Sequence, residues 1–472
     1  MKKLAIAAAI VLVLLAATPW VLGSMARQRI AAGIERLDAE AQIDAAVLAS
    51  EGGWTSSTTT IAIELPLAAR PDDVAPEVAE MLALFDEPVQ LVVGMQHGPV
   101  LADDGLSLGL AASTIRLDPA TPGYQELLAE LGIPYLFEIR SRTSFDGQSE
   151  FVSEVPSFEY ADGEVTVAFS GSQSAGSYDA ALRHVVARGE AASLRIAAGD
   201  GVFEMQDIRF DTDSTRHSDV LRVGHAEASV ARIRATGPGE QFEIDDFGVR
   251  FDIAVEDGGE HATLTAEYRV ARLDDGTDLD VAGLEVVATA HRVDIEALTA
   301  YYLAAQQAGI SDDPTAPLSL ELEDAIYALL AASPVVDVAP LRFSYNGEPL
   351  DASLRLTVDG ASLPQRTGFT VLALAFDGVV SLDASLELSE ALANVIAARG
   401  MAFQIRRGAA QDGLFMTDDE IETIATTQAA IAIAGLAAQD MLVATPEGYA
   451  TTLRFAGGEL TVNGNAIPLG LP

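Results

Sequence analysis

Residues 261–270 read His-Ala-Thr-Leu-Thr-Ala-Glu-Tyr-Arg-Val. Ala262, Leu264, Ala266, Tyr268 and Val270 alternate without a slip with Thr263, Thr265, Glu267 and Arg269. A period of two sends the two sets to opposite sides of an extended chain. One side is then covered and the other wet, the habit of antiparallel sheets. The pattern recurs at Phe247, Val249, Phe251, Ile253 and Val255, and at Val165, Val167 and Phe169. Turn signals such as Asp162-Gly163, Asp200-Gly201 and Asp257-Gly258-Gly259 separate the runs. From about Leu136 to Asp280 the chain therefore reads as one large antiparallel meander, strongly curved or wrapped.

Working outward toward the N-terminus, further strands are expected at Thr58–Leu65, Val89–Val93 and Leu106–Leu117. Helical spacing predicts short helices over Asp73–Phe85 and Thr121–Gly132, and a helical stalk over Ser24–Ser50 that Gly52-Gly53 breaks. Toward the C-terminus, Val293–Gly309 switches to a helical stripe with Asp294 as N-cap and Gly309 as stop. Leu320–Ala332 is a second helix, stopped by Ser333-Pro334, and Ser389–Arg399 a third, stopped by Gly400. Strands return at Leu341–Tyr345 and Ser353–Val358, joined through Asn346-Gly347. Thr417-Asp418-Asp419-Glu420 has the spacing of a capping box, in which two exposed N–H groups are satisfied reciprocally. Ile421, Ile424 and Ile431 are expected to stripe that last helix. A hairpin of Tyr449–Phe455 and Gly458–Val462, turning at Ala456-Gly457 and ending in Asn463-Gly464, closes the chain.

Met1–Gly23 is a different kind of segment. Lys2 and Lys3 precede an apolar run, Leu4–Gly23, that no charge interrupts. At about 1.5 Å per residue, some 20 helical residues cover a hydrocarbon core of about 30 Å. A cleavable signal has a shorter apolar stretch of about 7–15 residues. Pro19, Trp20, Val21 and Leu22 extend this one, so the length favours an uncleaved anchor, while Ala16-Ala17 keeps cleavage open. Either way the two lysines hold the start in the cytoplasm and the rest is exported. The expected organisation is an anchor at 1–23, a stalk at 24–50, a β-rich region at 51–290 and a helix-plus-sheet half at 291–472. The fold class is α+β and predominantly antiparallel β: a large curved meandering sheet with several packed amphipathic helices, preceded by one N-terminal transmembrane helix.

Lys2 and Lys3 are also the only lysines, so 26 of the 28 basic residues are arginine; against 70 acidic residues the net charge is −42. So much like charge destabilises a compact state unless screened. The screening length is about 10 Å at 0.1 M salt and about 3 Å at 1 M. The composition predicts an exported protein of a salt-tolerant bacterium. It disfavours nucleic acid, which needs a basic footprint, and a surface laid flat on anionic lipid. With no cysteine in the chain, disulfides, thiolate zinc sites, iron–sulfur clusters and cysteine nucleophiles are excluded.

Several motifs in order carry a family resemblance. They are the anchor, Gly53-Trp54 with Ser56-Ser57 before a strand, and Gln96-His97-Gly98-Pro99 after one. Asp146-Gly147 ahead of Pro156, Ser170-Gly171, and Leu329-Leu330 with Pro334 and Pro340-Leu341 follow. Asn346-Gly347 and Met441-Leu442-Val443 with Gly458, Leu460 and Asn463-Gly464 complete the set. Together they resemble the YdgA-like bacterial envelope proteins over nearly the whole chain. The resemblance implies a protein of the bacterial inner membrane, single-pass, with its N-terminus cytoplasmic and its bulk facing the periplasm. It carries a domain of unknown function and brings no catalytic residues. Trp54, Ser57, His97, Gly98, Pro99, Pro334, Asn463 and Gly464 are motif positions with a structural expectation.

Candidates for chemistry are few. His97 could serve as base or ligand, but His184, His217, His225, His261 and His291 offer no HExxH or HxH spacing. Ser172–Gly176 approaches G-x-S-x-G but lacks the first glycine and the strand–turn–helix context, so a Ser/Gly-rich loop is expected. Asp274–Asp280 is oxygen-rich without the ligand spacing of a calcium loop, and reads as a hairpin turn, as does Asp211-Thr212-Asp213 as a solvated acidic cluster. No catalytic residue, cofactor or metal is assigned. The expected partners are the inner membrane, through residues 4–23, and lipid or another envelope protein. Three functions are ranked: a carrier for an apolar envelope component such as lipid, held by a long sheet; a structural or assembly factor with an exposed apolar patch; and last a hydrolase, for which no convergent triad or carboxylate pair is visible.

Overall fold

The computed structural model describes residues 44–64, 89–102, 105–121, 123–218, 221–256, 258–277, 279–308, 319–363, 379–412 and 416–468. The chain divides into two compact units, one ending at Arg222 and the other beginning at Val223.

In the first unit β1 (Asp44–Gly52) and β2 (Ser56–Glu64) form a hairpin. The antiparallel ladder continues through β3 (Val89–His97), then past a small ribbon of β4 (Val100–Leu101) and β5 (Ser107–Leu108) to β6 (Ala111–Leu117). β7 (Glu138–Thr143) and β8 (Gln148–Val155) come next. Helix α1 (Tyr124–Leu131) packs Tyr124 and Leu128 with Leu117 and Ile133, and Gly132 at φ 66° ends it.

Beyond β8 the strands are long and each is interrupted once. β8 passes through Pro156-Ser157 into β9 (Phe158–Asp162), and β10 (Val165–Phe169) passes through Ser170-Gly171 into β11 (Ser172–Asp179). β12 (His184–Ala198) pairs with β11 along Val185–Ala191 and with β10 along Leu194–Ala198. β13 (Gly201–Arg216) flanks β12, and its ladder breaks at Asp207, φ 49°. These breaks lie side by side and line a cleft of about 470 Å³. Gly171 takes φ 85°, and a Cβ there would meet the Val155 carbonyl oxygen at 2.9 Å. Only glycine makes this crease without cost.

In the second unit β14 (Arg222–Gly237), β15 (Glu240–Val255), β16 (His261–Asp274) and β17 (Asp280–Asp294) pair in order. β18 (Val335–Tyr345), β19 (Glu348–Val358), β20 (Val380–Ser389) and β22 (Gly448–Ala456) extend the same ladder. β21 (Val443–Thr445) and β23 (Glu459–Val462) border β22, and β24 (Asn465–Ile467) closes on β23. Helices α2 (Ile295–Ala308) and α3 (Leu320–Ala331) lie between β17 and β18 in sequence; α4 (Glu390–Asp412) and α5 (Asp418–Ala438) lie between β20 and β21.

The helix starts follow their caps. Ala297 N–H donates to Asp294 Oδ1 at 2.8 Å, and Leu392 N–H to Ser389 Oγ at 3.0 Å. At α5 both halves of the capping box form: Glu420 N–H donates to Thr417 Oγ1 at 3.3 Å and Thr417 N–H to Glu420 Oε2 at 3.0 Å.

Other expectations are corrected. Asp44–Ser50 is not helical stalk but strand: its backbone groups pair with β2 instead of within the segment. Leu106–Leu117 is two strands, split at Gly109-Leu110. Residues 290 and 291, the expected boundary, lie inside β17. Gly400 does not stop α4, which runs on to Asp412. The stripe of α5 is Ile421, Ala425, Ala429 and Ile433, packed toward α4, whereas Ile424 and Ile431 are exposed. The final hairpin turns at Gly457-Gly458, both at positive φ. The apolar run at 4–23, the stalk to residue 43 and the helix expected over 73–85 lie outside the described residues.

Candidate functional site

The Gln96-His97-Gly98-Pro99 motif lies where two backbones cross. His97 N–H donates to the Thr55 carbonyl at 2.8 Å and Gly98 N–H to the Leu110 carbonyl at 2.8 Å; in return Gly109 N–H donates to the Pro99 carbonyl at 3.2 Å. A Cβ on Gly98 would stand 1.7 Å from the Gly109 carbonyl oxygen. A Cβ on Gly109 would stand 2.9 Å from the Thr143 carbonyl oxygen. At both glycines the main chains approach too closely for a side chain. The His97 side chain is 2% exposed beside the wholly buried Leu101. Ser57 is buried nearby at the start of β2, paired with Met95, and Trp54 stands 60% exposed on the β1–β2 turn. Five of the eight motif positions therefore assemble at one end of the first unit's sheet.

The other three belong to the second unit. Pro334 opens β18, its carbonyl accepting from Val358 N–H at 3.1 Å. Asn463 and Gly464 take φ 49° and 81° in the β23–β24 turn. Asn463 Oδ1 accepts from Thr452 N–H at 2.7 Å, and its amide donates to the Asp440 carbonyl at 2.7 Å. This asparagine ties the end of α5 to β22.

The chain belongs to the family described as bacterial protein of unknown function (DUF945), which it matches over residues 1–470. No curated protein and no solved structure matches it.

The DUF945 chain does not assemble the chemistry-bearing candidates. Ser172–Gly176 is strand, in β11 between β8 and β12, not a loop; a Cβ on Gly176 would press against the Phe151 ring. Asp274–Asp280 is the β16–β17 turn, where Asp275 Oδ1 accepts from the N–H groups of Thr277 and Leu279 at 2.9 and 3.0 Å. Those bonds hold the Asp275 carboxyl below its ordinary range. Asp211 and Asp213 pair with Arg188 and His184. Glu138, which sequence gave no reason to single out, is buried and held by Arg116 and Arg140. Among the described residues no three of His, Asp and Glu converge as a metal would require.

What the DUF945 fold does assemble is an apolar face. In the second unit the register aligns Ala226, Phe251, Ala266, Ala288, Val338, Leu354, Ala384 and Leu453 in one row across eight strands. The next row is Ala228, Val249, Tyr268, Val286, Leu341, Ala352, Leu386 and Thr451. At about 4.8 Å per strand the rows are about 34 Å wide. Charged pairs occupy positions that alternate with the rows: Arg250 with Glu227, Arg342 with Glu285, Arg355 with Asp337 and Arg454 with Asp383.

Helices cover only part of this face. Leu392 of α4 packs with Leu350, Leu386 and Leu388, and Leu330 of α3 with Val358 and Val380. Over β15 and β16 the cover is incomplete. There Phe251 and Tyr268 are 47% and 40% exposed, their rings edge to face at 6.2 Å. Periodicity found the apolar sides of β15 and β16, but only the register shows that eight such sides form one surface.

Proposed function

We propose that this DUF945 protein is a non-catalytic binding or carrier protein for an apolar component such as lipid, held on the open end of the second unit's apolar face. One observation carries the reading: the two apolar rows run on past their helical cover to β14–β16, where Ala226, Ala228, Phe251 and Tyr268 meet solvent. Burying an exposed aromatic side chain under an acyl chain is favoured at about 25 cal/mol per Å² removed from water. The finer likeness to YdgA-like envelope proteins and the apolar run at 4–23 support anchoring in the bacterial inner membrane, N-terminus cytoplasmic and bulk periplasmic. By length and composition Asp418–Ala438 is the described helix that could also cross a membrane. Its stripe, however, is spent against α4, and three carboxylates fill its first turn.

The openness of the face equally suits a partner protein, which is the structural or assembly reading. Photo-crosslinking separates the two. The full chain is exposed in its native membrane to a phospholipid bearing a diazirine on its acyl chain, and the labelled peptides are mapped. Label in β14–β16, lost in Phe251→Asp, is the expected result. Label confined to residues 1–30, with β14–β16 crosslinking to protein instead, would sink the carrier reading.

A further inference from the structure

The turns at the two ends of the first unit's sheet differ in kind. At the end where Gln96 pairs with Ser56, Ala111 with Thr143, and Gln148 with Asp179, the turns carry large apolar side chains in solvent. Trp54 is 60% exposed, Leu106 85%, Leu108 70% and Phe145 57%, with Val100 and Leu182 beside them. The described turns at the opposite end, Asp162-Gly163 and Gly199-Asp200, carry none.

Topology spaces these tips evenly. Trp54 sits over the β1–β2 gap, the β4–β5 ribbon over β3–β6, Phe145 over β7–β8 and Leu182 over β11–β12. At about 4.8 Å per strand the four stand about 10 Å apart, in a row about 30 Å long. Two carboxylates among them, Asp146 and Asp179, are held by their own turns. Asp146 accepts from Gln148 N–H at 3.1 Å and from the Ser144 hydroxyl. Asp179 accepts from Ala181 and Arg183 N–H at 3.1 and 2.6 Å, and from the Arg183 guanidinium at 3.0 Å. In a chain of net charge −42, these two turns hold their carboxylates back while apolar groups project.

We propose that this row of tips inserts into a lipid surface with electrically neutral headgroups. Isolated apolar side chains about 10 Å apart lack the contiguous desolvated centre that a protein interface needs, yet each can enter lipid alone. Trp54, apolar in body with one polar N–H, suits the membrane–water boundary. The net charge opposes an anionic surface, which selects zwitterionic lipid. The first unit's tips are separate from the second unit's apolar face, so this inference holds or fails independently of the carrier reading.

The chain has two tryptophans, so Trp20→Phe leaves Trp54 as sole reporter. Full-length Trp20→Phe protein is reconstituted into phosphatidylcholine vesicles. Brominated phosphatidylcholine is placed either in the same bilayer or in separate vesicles added afterward. Insertion predicts a blue-shifted Trp54 emission quenched by bromine in one arm, and the arm tells which bilayer the tips meet. Adding Leu106→Asp and Leu108→Asp, both at solvent-exposed positions, is expected to abolish most of the quenching while circular dichroism stays unchanged. Emission of a solvated tryptophan, unquenched in both arms, overturns the proposal. So does equal shielding of Trp54 from acrylamide with and without lipid, which would mark a protein contact.

Discussion

Glu256 Oε1 accepts a hydrogen bond from Arg292 N–H at 2.9 Å, although 36 residues separate them. The same oxygen accepts from the Thr263 hydroxyl at 2.8 Å. Arg292 has φ 56° and lies two residues before the Asp294 cap of α2. One carboxylate therefore fixes the β15–β16 hairpin, the end of β17 and the direction in which α2 departs.

That carboxylate makes stability pH-dependent. Its bonds from Arg292 and Thr263 hold it below the ordinary value of 4.5, with His261 and His291 adding to the effect. A depressed folded-state value means the stabilisation is complete above 4.5 and is lost as pH falls through the folded value. Glu256→Gln should lower the melting temperature at neutral pH, and the gap to the parent should close on acidification. A gap independent of pH would assign the loss to shape alone.

Gly98→Ala should be among the most damaging single-methyl changes in the first unit. The added Cβ meets a backbone carbonyl, not a yielding side chain, so a loss of about 3 kcal/mol is expected. Gly94→Ala is the control: its Cβ finds only the Thr114 oxygen, at 3.9 Å. There the outcome should lie within about 1 kcal/mol of the parent, because the substitution also restricts the unfolded chain. Urea midpoints of the two variants decide it.

Asn463→Gly keeps the left-handed conformation open while deleting the side-chain bonds to Thr452 and Asp440. A loss of about 1–2 kcal/mol is expected, at about 1 kcal/mol for each bond removed. Earlier hydrogen exchange at the C-terminal end of α5 should accompany it.

Salt should act on the whole molecule. Raising ionic strength from about 0.01 M to 1 M shortens the screening length from about 30 Å to about 3 Å, which relieves the repulsion of a net charge of −42. Melting temperature should climb steadily across that range. A flat profile would remove the basis for salt adaptation.

What the sequence disclosed depended on whether local chemistry decided the outcome. Val270 and its alternating neighbours, the Thr417–Glu420 box and the Asn346-Gly347 turn each carry their own physics and appear as expected. Asp44–Ser50 is Ala-rich and helical in spacing, and only the neighbouring β2 makes it strand. Gly400 costs α4 about 1 kcal/mol, a price that packing against β19, β20 and β22 outweighs. The α5 stripe uses alanines, which apolar periodicity underweights against isoleucine, yet small residues let two helices approach closely. At the candidate sites, His97 drew notice as an imidazole, whereas the close main-chain approach at Gly98 and Gly109 has no signature in spacing. The apolar face escaped notice because a row across eight strands has no signature in any one of them.

The breaks at Pro156, Gly171, Ala192 and Asp207 share one level of the first unit's sheet. Ladder bonds are thinned along a line that runs across the strands, so resistance to bending is weakest there. Such a sheet flexes like a page with a fold ruled into it: the halves stay stiff, and motion gathers at the fold. Solvent should reach amides along that line before it reaches those within either half, and the first opening of this unit should start from its middle.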